Sequence, residues 1–242
     1  MTEEEFEKEF QHIRDEIYAA TLSWHSYLTI HNESHANEEL LGVMNMHPSF
    51  WLITLRAHLH NTIIVLGRLF DRTRGTGSIH RFAKDVAEHK GFFTKESFRA
   101  RRIKGDPDFE KRDYYADCMA RAYAPDEKHL AGLVKEAEEC AALWNSAYDD
   151  FRNKIVAHRA RLSKEDLDGV YGKTRVGDIT GILERLYNLE KALRELLSNA
   201  KPLDFRDEKN PRIAEAVNAA KGTLETLLKG APNRSIGRPA AR

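Results

Sequence analysis

The chain has 242 residues with 38 Lys and Arg against 38 Asp and Glu, so formal net charge is zero and no global field draws it to nucleic acid or membrane. Any such contact must be a local patch. Its two cysteines, Cys118 and Cys140, lie too far apart for a metal knuckle or a redox pair and read as free thiols. No apolar run reaches the roughly 18 residues of a membrane span, and the acidic start Thr2-Glu3-Glu4-Glu5 is unlike a targeting segment. A soluble cytoplasmic protein with no membrane partner is expected.

Apolar residues Phe6, Phe10, Ile13, Ile17, Ala20, Trp24 and Leu28 recur at steps of four and three, which predicts a long helix over 3–31. The His- and Asn-rich stretch 32–48 reads as a connection with one or two helical turns. Ser49 is the expected N-cap of a second helix, with Pro48 fixing its entry. That helix carries Leu52, Leu55, Leu59, Ile63, Leu66 and Phe70, a stripe widened by Ile64, Val65 and Leu69, and it stops at a glycine loop, 73–77. Shorter helices are expected over 79–90, capped by Ser78, and over 95–103, started by Thr94. The second carries Arg99, Arg101, Arg102 and Lys104, a basic cluster that reads first as a solvated face. Residues 108–123 form a weaker helical candidate.

Asp126 caps the strongest pattern, with Leu130, Leu133, Ala137, Cys140, Trp144, Ala147, Phe151 and Ile155 on one stripe. Ser163 caps a short turn, 168–177 reads as a loop, and 178–199 is a leucine-rich core helix. Residues 1–200 are thus expected to form an all-α antiparallel helical bundle, followed by a linker and peripheral helix over 201–229 and a disordered tail over 230–242.

The chemistry-bearing stretch is 149–161, where Arg152 and Asn153 stand side by side and His158 follows. Arginine followed four to six residues later by histidine is expected about three times by chance in this composition, but requiring Asn after Arg lowers that to about 0.14. Arg152-Asn153 with His158 is the single occurrence. Arg74 with His80 matches only the loose form, across a glycine loop. His58 and His60, two apart on a helix, face different ways and do not read as a metal pair.

Two blocks carry a family resemblance: Phe151-Arg152-Asn153-Lys154-Ile155-Val156-Ala157-His158-Arg159, and Leu66-Gly67-Arg68-Leu69-Phe70-Asp71 with the loop after it. The chain resembles the HEPN superfamily, whose signature is Arg-Asn-x4-His, and within it the AbiU-type abortive-infection branch, over roughly residues 5–200. The resemblance implies a helical bundle, often dimeric, acting as a metal-independent ribonuclease in phage defence or in a toxin–antitoxin pair. Some members of the superfamily bind nucleotide or RNA without cutting it.

The residue types suit RNA cleavage by 2′-hydroxyl attack. His158 titrates near neutral pH and can move protons. Arg152 offers a planar fork for charge developing on phosphate oxygens, and Asn153 can donate and accept. Lys154, Arg159 and Arg161 would hold neighbouring phosphates. Asp149, Arg68 and Asp71 are candidates for supporting these groups from behind. Blander roles stand beside these: His158 as a core histidine, Arg152 paired with Asp149, and Arg68 paired with Asp71 as a helix cap. On a regular helix Arg152 and His158 are roughly 240° apart. Either the helix distorts between them or a second copy completes the cleft across a two-fold axis, as in a homodimer. The expected partners are RNA, a second copy and a possible cognate antitoxin, with no cofactor and no metal. The alternative is a non-catalytic helical module that binds RNA, nucleotide or a protein.

Overall fold

The computed structural model describes residues 2–73, 77–157, 163–206 and 208–230. Every regular element among the described residues is helical, as the periodicities predicted. The α-helices are α1 (Glu3–Ala36), α2 (Glu38–Met44), α3 (Pro48–Leu69), α4 (Ile79–Glu88), α5 (Lys95–Gly105), α6 (Tyr115–Arg121), α7 (Glu127–Ala147), α8 (Asp149–Phe151), α9 (Lys164–Tyr171), α10 (Val176–Asn199) and α11 (Pro211–Gly230). None is long and apolar enough to cross a membrane.

Local chemistry sets most helix starts. Thr2 and Glu5 form a reciprocal capping box ahead of α1, with Glu5 N–H 3.2 Å from Thr2 Oγ1 and Thr2 N–H 2.7 Å from Glu5 Oε2. Thr94, Asp126 and Ser163 accept the N–H of Ser97, His129 and Asp166 at 3.1, 2.9 and 3.1 Å. Ser49 is not a cap: α3 already begins at Pro48, the first helical position, where a missing N–H costs nothing. Ser78 occupies the cap position of α4, but its hydroxyl makes no cap bond and faces His80 Nε2 at 3.4 Å. The weak candidate 108–123 resolves into a 3-10 turn, Phe109–Lys111, and the short α6. Part of the expected loop 168–177 is instead the end of α9.

The chain divides into two compact units, one from Met1–Ala20 with Thr62–Asn210, the other from Thr21–Asn61 with Pro211–Arg242. The expected limit at residue 200 is not an edge of either. In the first unit α7 packs against α4 and α10. Phe6 and Phe10 stack on Phe82 at 5.2 and 5.7 Å, anchoring the start of α1 to α4. Glu190 of α10 is fully buried. A carboxylate so placed needs compensation, and Arg14 Nε at 2.8 Å and Arg194 Nε at 3.3 Å supply it. The basic cluster of α5 is largely engaged internally: Arg99 pairs with Glu110, Arg101 donates to the Phe92 carbonyl at 2.7 Å, and Arg102 lies 5.0 Å over the Phe109 ring. Arg99 and Lys104 are exposed, in keeping with the solvated face read from the sequence, while Arg101 and Arg102 are half-buried.

In the second unit α11 packs on α2. Ala220 and Leu224 of α11 share a small core with Ile30, Leu40 and Met44, and Lys221 pairs with Glu33 at 2.8 Å. The helix expected to be peripheral therefore contributes to a core. The first half of α3 is less buried than its stripe implied, with Leu52 of the stripe 59% exposed beside Phe50 at 61% and Ile53 at 68%. A groove of about 770 Å³ lies beside it, lined in part by Trp51, His58 and Thr223.

Candidate functional site

The end of α7 is held by aromatic rings. Trp144 stacks on Phe70 of the α3 end at 5.8 Å and on Tyr148 at 5.4 Å. The Tyr148 hydroxyl donates to the Arg175 carbonyl and accepts the Arg175 N–H at 3.0 Å, so it clamps the start of α10. Burial pushes this phenol up to about 12, which keeps the proton that the clamp needs. Four residues on from Tyr148 comes Arg152, whose N–H bonds the Tyr148 carbonyl at 2.8 Å.

At Arg152 the winding changes. Residues Arg152–Ala157 form a π-helical turn after the short α8. Such turns widen a helix by one residue and recur at functional sites. The sequence offered two solutions for a motif that a regular helix would split, and a distortion ahead of His158 is present. His158, Arg159 and Arg161 themselves lie outside the described residues.

The half-buried Arg152 side chain crosses α3 at Gly67, with its Cδ and Nε against the glycine backbone. Asp71 stands one turn further along the chain. Its carboxyl accepts the Thr73 N–H at 2.8 Å, and hydrogen bonding by Thr73 holds it below the usual carboxylate range, with the Arg152 charge adding to the effect. Asp71 and Arg152 are therefore electrostatic neighbours. Arg68 is turned elsewhere: its fork grips Glu16 of α1, with Nη2 at 2.9 and 2.7 Å from the two oxygens and Nε at 3.1 Å. The expected side-chain pair of Arg68 with Asp71 is replaced by a backbone bond, Asp71 N–H to the Arg68 carbonyl, at 3.2 Å. A small cleft of about 200 Å³ opens between His12, Glu16, Arg68 and Asp71. It is smaller than the roughly 300 Å³ of the smallest usual ligand pockets.

Of the remaining candidates, Asn153 is half-buried on the π turn. Lys154 sits 3.4 Å from Asp150, and Lys173 reaches the same carboxylate at 3.6 Å. A phosphate would compete with Asp150 for Lys154. Asp149 meets Arg152 through its backbone carbonyl, which accepts the Arg152 N–H at the end of α8. Among the described residues, no group of three or more His, Cys, Asp or Glu is arranged to hold a metal ion. Sequence reasoning passed over Gly67 and Tyr148 as parts of the site. A glycine inside a helical stripe was the available signal for the first.

A family model described as AbiU2, of the HEPN class, matches residues 3–217. The chain belongs to the AbiU2 family. No curated protein and no solved structure matches it. The AbiU2 match runs beyond the limit near residue 200 expected from the order of helices and takes in the first turns of α11. Arg152 and Asn153 of this AbiU2 protein thus lie inside the matched region, on its one π-wound turn among the described residues.

Proposed function

We propose that this AbiU2 protein is a metal-independent endoribonuclease of abortive infection or of a toxin–antitoxin pair. The observation that carries the reading is the half-buried Arg152 fork, held across α3 at a helix distortion and followed directly by Asn153. In the proposed reaction the RNA 2′-hydroxyl attacks the adjacent phosphorus and its proton passes to His158. The bond from phosphorus to the 5′-oxygen breaks, and that oxygen takes a proton in turn. Arg152 meets the charge that builds on the phosphoryl oxygens, and Asn153 orients the phosphate or ribose. Lys154, Arg159 and Arg161 hold flanking phosphates. Two copies act together, with the 149–161 segments facing each other across a two-fold axis.

The test is incubation of purified protein with single-stranded RNA. Products ending in a 2′,3′-cyclic phosphate and a free 5′-hydroxyl are expected. DNA should stay intact, because it lacks the nucleophile, and a chelator should change nothing. His158→Ala should abolish cleavage with thermal stability nearly unchanged, and Arg152→Lys should remain impaired because the fork is lost. Unfolding of His158→Ala would favour a core histidine. A wild-type protein that binds RNA and never cuts it would favour a binding module. Sedimentation of the same sample as a fully active monomer would remove the dimer from the proposal.

A further inference from the structure

Gly67 lies buried in the interior of α3, where glycine weakens a helix relative to alanine. Its lack of a side chain has a use here. A Cβ at this position would lie 2.4 Å from Arg152 Nε, 2.5 Å from Cδ and 3.2 Å from Cζ. The first two distances are far inside van der Waals contact, so no side chain can occupy position 67 while Arg152 keeps its course.

We infer that Gly67 is the positioning residue of Arg152: its bare backbone is the slot that receives the arginine stem and aims the guanidinium. Three restraints then act on Arg152, one on its backbone and two on its side chain. The Arg152 N–H is tied to the Tyr148 carbonyl at 2.8 Å, the stem lies over Gly67, and the charge is felt by Asp71 just past the end of α3. A long flexible side chain is thereby ordered before any substrate arrives, which is how a fork stabilises a transition state without reorganising. The assignment of a catalytic purpose rests on the proposed RNA cleavage. The slot itself can be tested without RNA.

The obstructed atoms belong to a flexible side chain, so Gly67→Ala should give a folded protein with a displaced Arg152. The experiment is a four-protein cycle of wild type, Gly67→Ala, Arg152→Ala and the double variant, read by melting temperature and by NMR titration of Asp71. With Arg152 removed, the added methyl should raise Tm by roughly 2–4 °C through helix propensity. With Arg152 present the gain should vanish or reverse, and the Asp71 carboxyl should titrate higher, as is also expected in Arg152→Ala. Equal Tm shifts in both backgrounds, with Asp71 unmoved by Gly67→Ala, would overturn the slot. In a cleaving wild type, Gly67→Ala should lower kcat by about 100-fold with little change in KM, and the double variant should be no worse than Arg152→Ala. Full activity of a Gly67→Ala protein would also overturn it. If the wild type cuts no RNA, the catalytic reading fails by itself and the thermal cycle decides the slot.

Discussion

Cys140 and Cys118 show how much the same side chain differs with its surroundings. Cys140 is buried in the α7 stripe, and burial pushes its thiol up to about 11, so it stays protonated and shielded at neutral pH. Cys118 on α6 is half-buried. A thiol reagent should therefore modify one cysteine per native chain, at Cys118, and reach Cys140 only after denaturation. Rapid uptake of two equivalents by native protein would contradict the burial of α7. The sequence showed two free thiols but not their contrast, which depends on which helix face meets α4 and α10. The same limit applies to Arg68. Its neighbour Asp71 was visible three residues away, whereas its actual partner, Glu16, is 52 residues earlier on another helix.

At the scale of elements, the periodic stripes placed α1, α10 and the body of α7 well, because burial on one face repeats every three or four residues, but α7 ends at Ala147, short of the Phe151 and Ile155 its stripe included. Caps were readable where Thr94, Asp126 and Ser163 directly preceded a helix, and misread at Ser49, where proline had already started α3. At Gly67 the sequence offered only a glycine inside a helical stripe, not the slot, since the arginine that fills it comes from the π turn far along the chain. Acid sensitivity also belongs to elements. His25 of α1 is 7% exposed, its Nε2 has no hydrogen-bond partner among the described residues, and burial holds it below its usual pKa near 6.5. His58 of α3 is lowered by burial in the same unit. The unfolded chain takes up these protons first, so stability is full above about pH 6.5 and is lost as pH falls toward the lowered native values. Asp71, whose native value is depressed, adds loss only below about pH 4. Tm should fall between pH 7.5 and 5.5, and His25→Gln should flatten that slope. An unchanged slope in the variant would show that His25 is not responsible.

For the whole molecule, the order of the chain matters as much as its contacts. The second unit is made of residues 21–61 and a segment beginning at 211, with the larger part of the first unit, residues 62–210, lying between them in sequence. A protein ended at residue 210 should keep the first unit but lose Ala220 and Leu224 from the small core with Ile30, Leu40 and Met44. Such a truncation should bind a hydrophobic dye and aggregate, while its near-UV signal from Trp144 persists. A well-behaved truncated protein with wild-type Tm would show that α11 is dispensable. The same arrangement sets a delay during synthesis. Ile30, Leu40 and Met44 leave the ribosome early, yet the helix that covers them follows only after the whole of 62–210 has been made. At roughly 5–20 residues per second that is on the order of 10 s of exposed apolar surface on every nascent chain. Chaperone capture during translation should therefore centre on residues 30–44 and end when α11 emerges.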